Sequence, residues 1–217
     1  MIKFLIVLSL MMSSAFAQNF ELDSTVLTPY QISKLIGPPP KSGSAEEILD
    51  FKTILYYQQF RTAKDCEFAH RDDSTSLAVM FGGPNGVLNN DEVRRLSRFL
   101  LKAYASSGVN AYIAKSTYKR PRPYVKSSLV KPCIPLESSY AYPSGHSMVV
   151  RLYAQILTRV FPERAELFLK RATQYAMNRI IGGVHHPSDV RAAFILADYM
   201  AKEMIENESF VKVLDTI

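Results

Sequence analysis

PSGHSMVVRLYAQILTRVFPERAELFLKRATQYAMNRIIGGVHHPSDVRAAFILADYM, residues 143–200, decides the fold. It reads as three helices in succession. The first starts near Ser144 and carries Met148, Leu152, Ile156 and Val160 at helical spacing. The second starts at Pro162, a residue pre-organised for a first helical turn, and ends at Gly182-Gly183. The third starts near Pro187 and runs past Met200. Strand-like alternation is almost absent here and elsewhere in the chain, so the fold class is all-α.

The upstream half has the same character. A short apolar stretch, Leu27 to Ile36, precedes Gly37-Pro38-Pro39-Pro40, where the prolines stop any helix and impose extended backbone. Ser44-Ala-Glu-Glu47 reads as a capping box, followed by Ile48, Phe51, Ile54, Leu55, Tyr57 and Phe60 at helical spacing, which predicts a helix to about His70. Gly82-Gly83-Pro84-Asn85-Gly86 is a loop. Asn89 and Glu92 open a further helix with Val93, Leu96, Leu100 and Tyr104 on one face, and Ser106-Ser107-Gly108 is the place where it is expected to bend. Pro121, Pro123, Pro132 and Pro143 mark a loop of about twenty residues, a length that in a compact domain signals function. No repeat or low-complexity tract interrupts this pattern. The chain reads as a single-domain helical bundle.

The first residues carry an export pattern: Lys3, an apolar run from Phe4 to Met12, then the small-x-small site Ala15-Phe16-Ala17. Residues 1–17 are therefore expected to be a signal peptide and residues 18–217 the mature domain, periplasmic or secreted. The apolar run is too short to span a bilayer, and no later segment is uninterrupted enough to do so, so stable membrane insertion is not expected. The formal net charge of +6 suits an anionic small substrate and ordinary solubility alike. No stripe of interleaved basic and aromatic residues marks a nucleic-acid groove, so nucleic acid is not expected as a partner. Cys66 and Cys133 are the two cysteines. In an oxidising compartment such a pair forms a disulfide, the alternative being two buried thiols.

Three segments concentrate polar chemistry at helix termini: Lys115-Ser-Thr-Tyr-Lys-Arg-Pro-Arg122-Pro123, Pro143-Ser144-Gly145-His146, and Arg179-Ile-Ile-Gly-Gly-Val-His185-His-Pro-Ser-Asp189. A helix start at Ser144 offers a hydroxyl and orphan backbone N–H groups to an anion, and Gly145 lets a ligand approach the backbone. Lys115, Arg122 and Arg179 supply fixed positive charge, with an arginine fork matching two phosphate oxygens. His185 and Asp189 are four residues apart, so the carboxylate can fix the imidazole tautomer and leave the other nitrogen as a nucleophile. His146 remains as a proton donor. Each segment alone has a plain structural reading as a helix cap, a solvated basic face or an ion pair. All three in this order within one domain point to chemistry.

The pattern Lys-x6-Arg-Pro, Pro-Ser-Gly-His, Arg-x5-His-x3-Asp resembles the type 2 phosphatidic acid phosphatase and vanadium haloperoxidase superfamily. Within it, the chain is most similar to the bacterial class A non-specific acid phosphatases, from about Leu35 to Val213. The resemblance implies that Lys115, Arg122, Arg179, Ser144 and the Gly145 amide hold the phosphoryl group, and that His185 attacks phosphorus. It also implies that Asp189 orients His185 and that His146 protonates the leaving alcohol and then activates water. It implies no cofactor and no metal, since the basic side chains supply the charge, together with vanadate inhibition and homo-oligomers. The expected substrates are small phosphate esters, with inorganic phosphate as product. Two other readings stand beside it: a vanadium-dependent haloperoxidase on the same constellation, usually a much longer chain, and an exported phosphate-binding module without turnover.

Two departures from the family pattern stand out. Asn178 replaces the usual Ser before the motif arginine, and His186-Pro187 replaces Trp-Gln after the nucleophile; His186 is expected to be exposed at a helix start, the alternative being a contact with the substrate. Tyr140 and Tyr142 read either as pocket walls or as packing residues. Asp189 favours a protonated His185, while Lys115, Arg122 and Arg179 favour the neutral imidazole. With His146 required as an acid, the expected pH profile is bell-shaped and centred on the acid side of neutrality.

Overall fold

A computed structural model describes residues 25–83 and 86–215. The expected leader, residues 1–17, lies outside them, as do Pro84 and Asn85 of the glycine-rich loop. Every regular element among the described residues is a helix. In chain order these are α1 (Pro29–Ile36), α2 (Ala45–Phe60), α3 (Ala63–Arg71), α4 (Leu77–Phe81), α5 (Asn90–Tyr118) and α6 (Pro123–Lys126). They are followed by α7 (Gly145–Val160), α8 (Ala165–Ile181), α9 (Pro187–Glu206) and α10 (Glu208–Leu214). A 3-10 turn, Pro162–Arg164, leads into α8.

Most helix starts sit where the caps predict. Ser44, Asn89 and Ser144 each accept a backbone N–H with their side chains, and Asn89 with Glu92 forms a full capping box. At Ser44 the box is only half made, because Glu47 turns to the Gly43 N–H (2.8 Å) and to Lys126. The helix expected to reach His70 breaks after Phe60. Thr62 and Asp65 form a capping box that restarts the chain as α3, and Arg61 leaves the helix to donate to the Ile181 carbonyl (2.6 Å). Conversely, α5 runs unbroken through Ser106-Ser107-Gly108. Ser106 and Ser107 are buried there, Ser106 Oγ accepts from Thr25, and Asn110 grips the Thr25 and Leu27 backbone. Tertiary hydrogen bonds override the weak helix propensity of this stretch.

The central element is α7. Met148, Val149, Val150, Leu152, Tyr153, Ala154, Ile156 and Leu157 are all buried, so this helix is enclosed by α5, α8 and α9. Burying each large apolar side chain is worth about 1.5–3 kcal/mol, which fixes the N-terminus of α7 against its neighbours. Ser144 N–H donates to the Asp189 carbonyl (3.0 Å), tying the starts of α7 and α9 together. Cys66 on α3 is bridged to Cys133 in the loop before α7, as expected. Among the described residues no helix is long and apolar enough to cross a membrane.

Candidate active site

The three chemical segments meet at one end of the bundle, where the start of α7, the end of α8, the start of α9 and the loop after α6 converge. His185 sits in the turn between α8 and α9 and is fully buried. Its Nδ1 lies 3.3 Å from Asp189 Oδ2 and its Nε2 lies 2.7 Å from Arg122 Nη1. Arginine is a donor only, so Nε2 is the accepting nitrogen and the ring proton sits on Nδ1, facing the carboxylate. This is the tautomer a nucleophilic Nε2 requires. Burial first, and then Arg122, push the imidazole well below its ordinary pKa, so His185 is neutral.

Asp189 has four partners. Oδ2 accepts from the His186 backbone N–H (2.8 Å), from His186 Nδ1 (3.0 Å) and from His185 Nδ1, while Oδ1 accepts from Arg120 Nη1 (2.5 Å). Burial works against its charge, but the hydrogen bonds from His185 and His186 and the charge of Arg120 hold it well below the carboxylate range. Arg120 also reaches Ser188 Oγ (2.7 Å) and Asp50 Oδ2 (2.9 Å), and Asp50 caps the start of α9 by accepting the Ser188 N–H (3.0 Å). Arg120 and Asp50 are thus site-building residues that sequence reading passed over. Because Arg120 balances the charge of Asp189, Asp189 can orient His185 without holding it protonated.

His186 corrects an expectation. It is buried, not exposed: its ring donates from Nδ1 to Asp189 Oδ2 and meets Phe51 edge-on at 5.3 Å. Asn178 also has a defined place. Its amide donates to Asp72 Oδ2 (2.8 Å), which Arg171 grips with two bonds of 2.8 Å each, so Asn178 helps to anchor the turn carrying Asp73.

The cationic wall consists of Arg122, Arg179 and Lys115. Arg122 is held by the Ser139 carbonyl (2.8 Å) and the Val184 carbonyl (3.0 Å); Arg179 is fully buried and pairs with Asp73 (2.7 Å). Both guanidinium groups converge on the carboxylate of Glu137, at 2.6 Å each. Lys115 donates to the Tyr140 carbonyl, and burial together with the nearby Arg122 lowers it to about 7. His146, at the start of α7, directs Nε2 to the Asp73 carbonyl (3.0 Å) and Nδ1 towards Glu137 (3.8 Å). Burial first, and then Arg179, lower its pKa, against the opposing pull of Glu137 and Asp73. Ser144 caps α7, with its Oγ 2.8 Å from Ser147 Oγ, and Gly145 begins the helix beside it. Tyr142 is a packing residue, since it is buried and its hydroxyl donates to the Ile36 carbonyl (2.9 Å), whereas Tyr140 is exposed.

Asp73, Glu137 and His146 place metal-type ligand atoms within 4.8 Å of one another. Arg179 already bridges the two carboxylates and Arg122 adds a second positive charge, so the site favours an anion over a cation. Neither Asp73 nor Glu137 belonged to a recognisable sequence pattern.

The chain and its architecture have counterparts. The PAP2 superfamily model matches residues 97–207. The non-specific acid phosphatase of Providencia stuartii is 28% identical over 194 residues, covering 83% of this chain and 76% of the relative. An acid phosphatase of Zymomonas mobilis is 28% identical over 75% of this chain and 64% of its own length. The non-specific acid phosphatase of Salmonella typhimurium is 37% identical over 71% of this chain and 66% of its own length, so the chain spans about two thirds of these last two relatives. Among solved structures, the transmembrane PAP2 type phosphatidylglycerolphosphate phosphatase of Bacillus subtilis superposes with a TM-score of 0.53 at 20% identity, covering 84% of this chain and 94% of that one. The matched range contains the Lys115–Arg122, Ser144–His146 and Arg179–Asp189 segments, and the chain belongs to the PAP2 superfamily.

Proposed function

We propose that this protein is an acid phosphatase that hydrolyses small phosphomonoesters through a phosphohistidine at His185. The observation that carries the reading is the placement of His185, whose Nε2 meets Arg122 (2.7 Å) while Nδ1 faces Asp189 (3.3 Å). Arg122, Arg179 and Lys115, with the start of α7 at Ser144 and Gly145, hold the phosphoryl oxygens. Nε2 attacks phosphorus, the ester P–O bond breaks, and the leaving oxygen takes a proton from His146. Water then attacks the phosphohistidine after giving a proton to His146, which releases inorganic phosphate and restores both histidines. The acid phosphatase names of the relatives support the same reaction class.

Export is part of the proposal: the leader ending at Ala17 and the Cys66–Cys133 bridge both suit a periplasmic or secreted enzyme. The test is a panel of nucleotides, sugar phosphates, phytate and lipid phosphates, run with EDTA and with vanadate. Hydrolysis that survives EDTA and is inhibited by vanadate is the expected result. Bromide oxidation activated by vanadate, or phosphate binding without turnover on any ester, overturns the proposal.

A further inference from the structure

The anion cradle already holds an anion. Glu137 places Oε1 at 2.6 Å from Arg179 Nη2 and Oε2 at 2.6 Å from Arg122 Nη2, with His146 Nδ1 3.8 Å from Oε1. One carboxylate thus bridges the two guanidinium groups to which the proposed function assigns phosphoryl oxygens, on the side of the acid–base histidine. Burial works against its charge, yet the guanidinium groups of Arg122 and Arg179 keep Glu137 ionised. Arg122 meanwhile turns Nη1 onto the nucleophilic Nε2 of His185 (2.7 Å). The cations and the nucleophile are therefore both engaged before substrate arrives.

The backbone of Glu137 is fixed independently of its carboxylate. The Tyr124 hydroxyl donates to the Glu137 carbonyl (2.7 Å) and accepts from its N–H (3.1 Å). The same loop is tied by the Cys66–Cys133 bridge, by Cys133 N–H to the Gly182 carbonyl (3.1 Å), and by Arg122 Nε to the Ser139 carbonyl (2.8 Å). The Glu137 side chain is 24% exposed, so its carboxylate sits at the solvent edge of the cradle, where a ligand can reach it.

We propose that Glu137 is a specificity-determining internal competitor: its carboxylate occupies the phosphate position between Arg122 and Arg179, and an incoming ligand has to displace it. The charge balance sets the consequence. A monoanion that replaces one carboxylate on two guanidiniums gains little, because the same charge is exchanged. A dianion gains an additional negative charge against fixed cations in a partly dehydrated pocket. Glu137 therefore raises the threshold for all anions and tilts the site towards dianionic phosphomonoesters over monoanionic diesters.

The inference rests on the phosphate-site reading, and the experiment separates the two. Calorimetric titration of inorganic phosphate, and of a phosphate diester as the monoanion, is carried out on the full chain and on Glu137→Ala and Glu137→Gln. Circular dichroism confirms that each variant is folded, and Gln serves as the closer isostere. The expected result is phosphate affinity raised about tenfold or more in the variants, with a larger proportional gain for the diester. Unchanged or weaker binding in the folded variants, against a wild type that binds phosphate, overturns the competitor role and leaves the phosphate site standing. No binding to any form overturns both. A fall in kcat with unchanged phosphate affinity makes Glu137 a participant in the chemistry and also overturns the competitor role.

Discussion

Replacing Arg120 with Met should destabilise the protein far more than loss of a surface arginine, and the penalty should shrink in acid. Arg120 is 5% exposed and holds three acceptors: Asp189 at 2.5 Å, Ser188 at 2.7 Å and Asp50 at 2.9 Å. Met fills a similar volume but leaves the carboxylates of Asp50 and Asp189 buried without their counter-ion. Breaking a buried pair in this way costs about 3–5 kcal/mol. For a domain of this size each kcal/mol moves Tm by about 2–4 °C, so a drop of about 6–20 °C is expected near neutral pH. The pH dependence has a definite sign. In the wild type the folded-state pKa of Asp189 is depressed, so its contribution is present above the unfolded carboxylate pKa and is lost as pH falls through the folded value. Without Arg120 the folded pKa rises, the carboxyl protonates in mild acid, and the cost of an unpaired buried charge disappears. Urea unfolding of wild type and variant at pH 7 and at about pH 4 measures this directly. A gap at pH 7 below about 1 kcal/mol, or one that widens towards acid, refutes the assignment of Arg120 as the counter-ion of Asp189.

Two further outcomes follow from the geometry. Above about pH 7, kcat/KM should fall as pH rises, because Lys115, lowered to about 7, loses its charge and His146, lowered by burial and by Arg179, is already deprotonated; His185, being neutral, does not restrict the mildly acid side, and a rate that climbs through neutrality contradicts this. Cys66→Ser opens a crosslink between residues 67 apart, for which chain entropy gives about 4 kcal/mol, so the urea midpoint should drop to that of the reduced wild type; equal midpoints with and without reductant show that the bridge contributes nothing.

Much of the fold was legible because the chain marks its helix starts with side chains that bond their own backbone. Ser44, Asn89 and Ser144 work this way, and Pro162 and Pro187 mark first turns. The break before α3 was also written in the chain, as Thr62 and Asp65, but continuous apolar spacing masked it. The continuity of α5 was not legible, since it depends on Thr25 and Leu27, more than eighty residues distant, bonding to Ser106 and Asn110.

At the site, His185, Asp189, His146 and the cations came from ordered motifs, and the structure gathers them at one end of the bundle. Asp73 and Glu137 are single acids in irregular segments, and only the fold brings them to Arg179. Arg120 lies inside a quoted motif, yet its role depends on Asp50 from α2, which no local pattern reveals. His186 was misread for a related reason. A polar residue at a helix start is usually solvated, but here Asp189 and Phe51 enclose it.

The phosphohistidine itself can be trapped by rapid quenching of enzyme and labelled phosphomonoester into alkaline denaturant, followed by mass spectrometric mapping of the phosphorylated peptide. The expected result is a phosphoryl group on His185, stable in alkali and lost in acid, and neither label nor turnover in His185→Ala. Label on another residue, or His185→Ala that hydrolyses the ester at the wild-type rate, would contradict it.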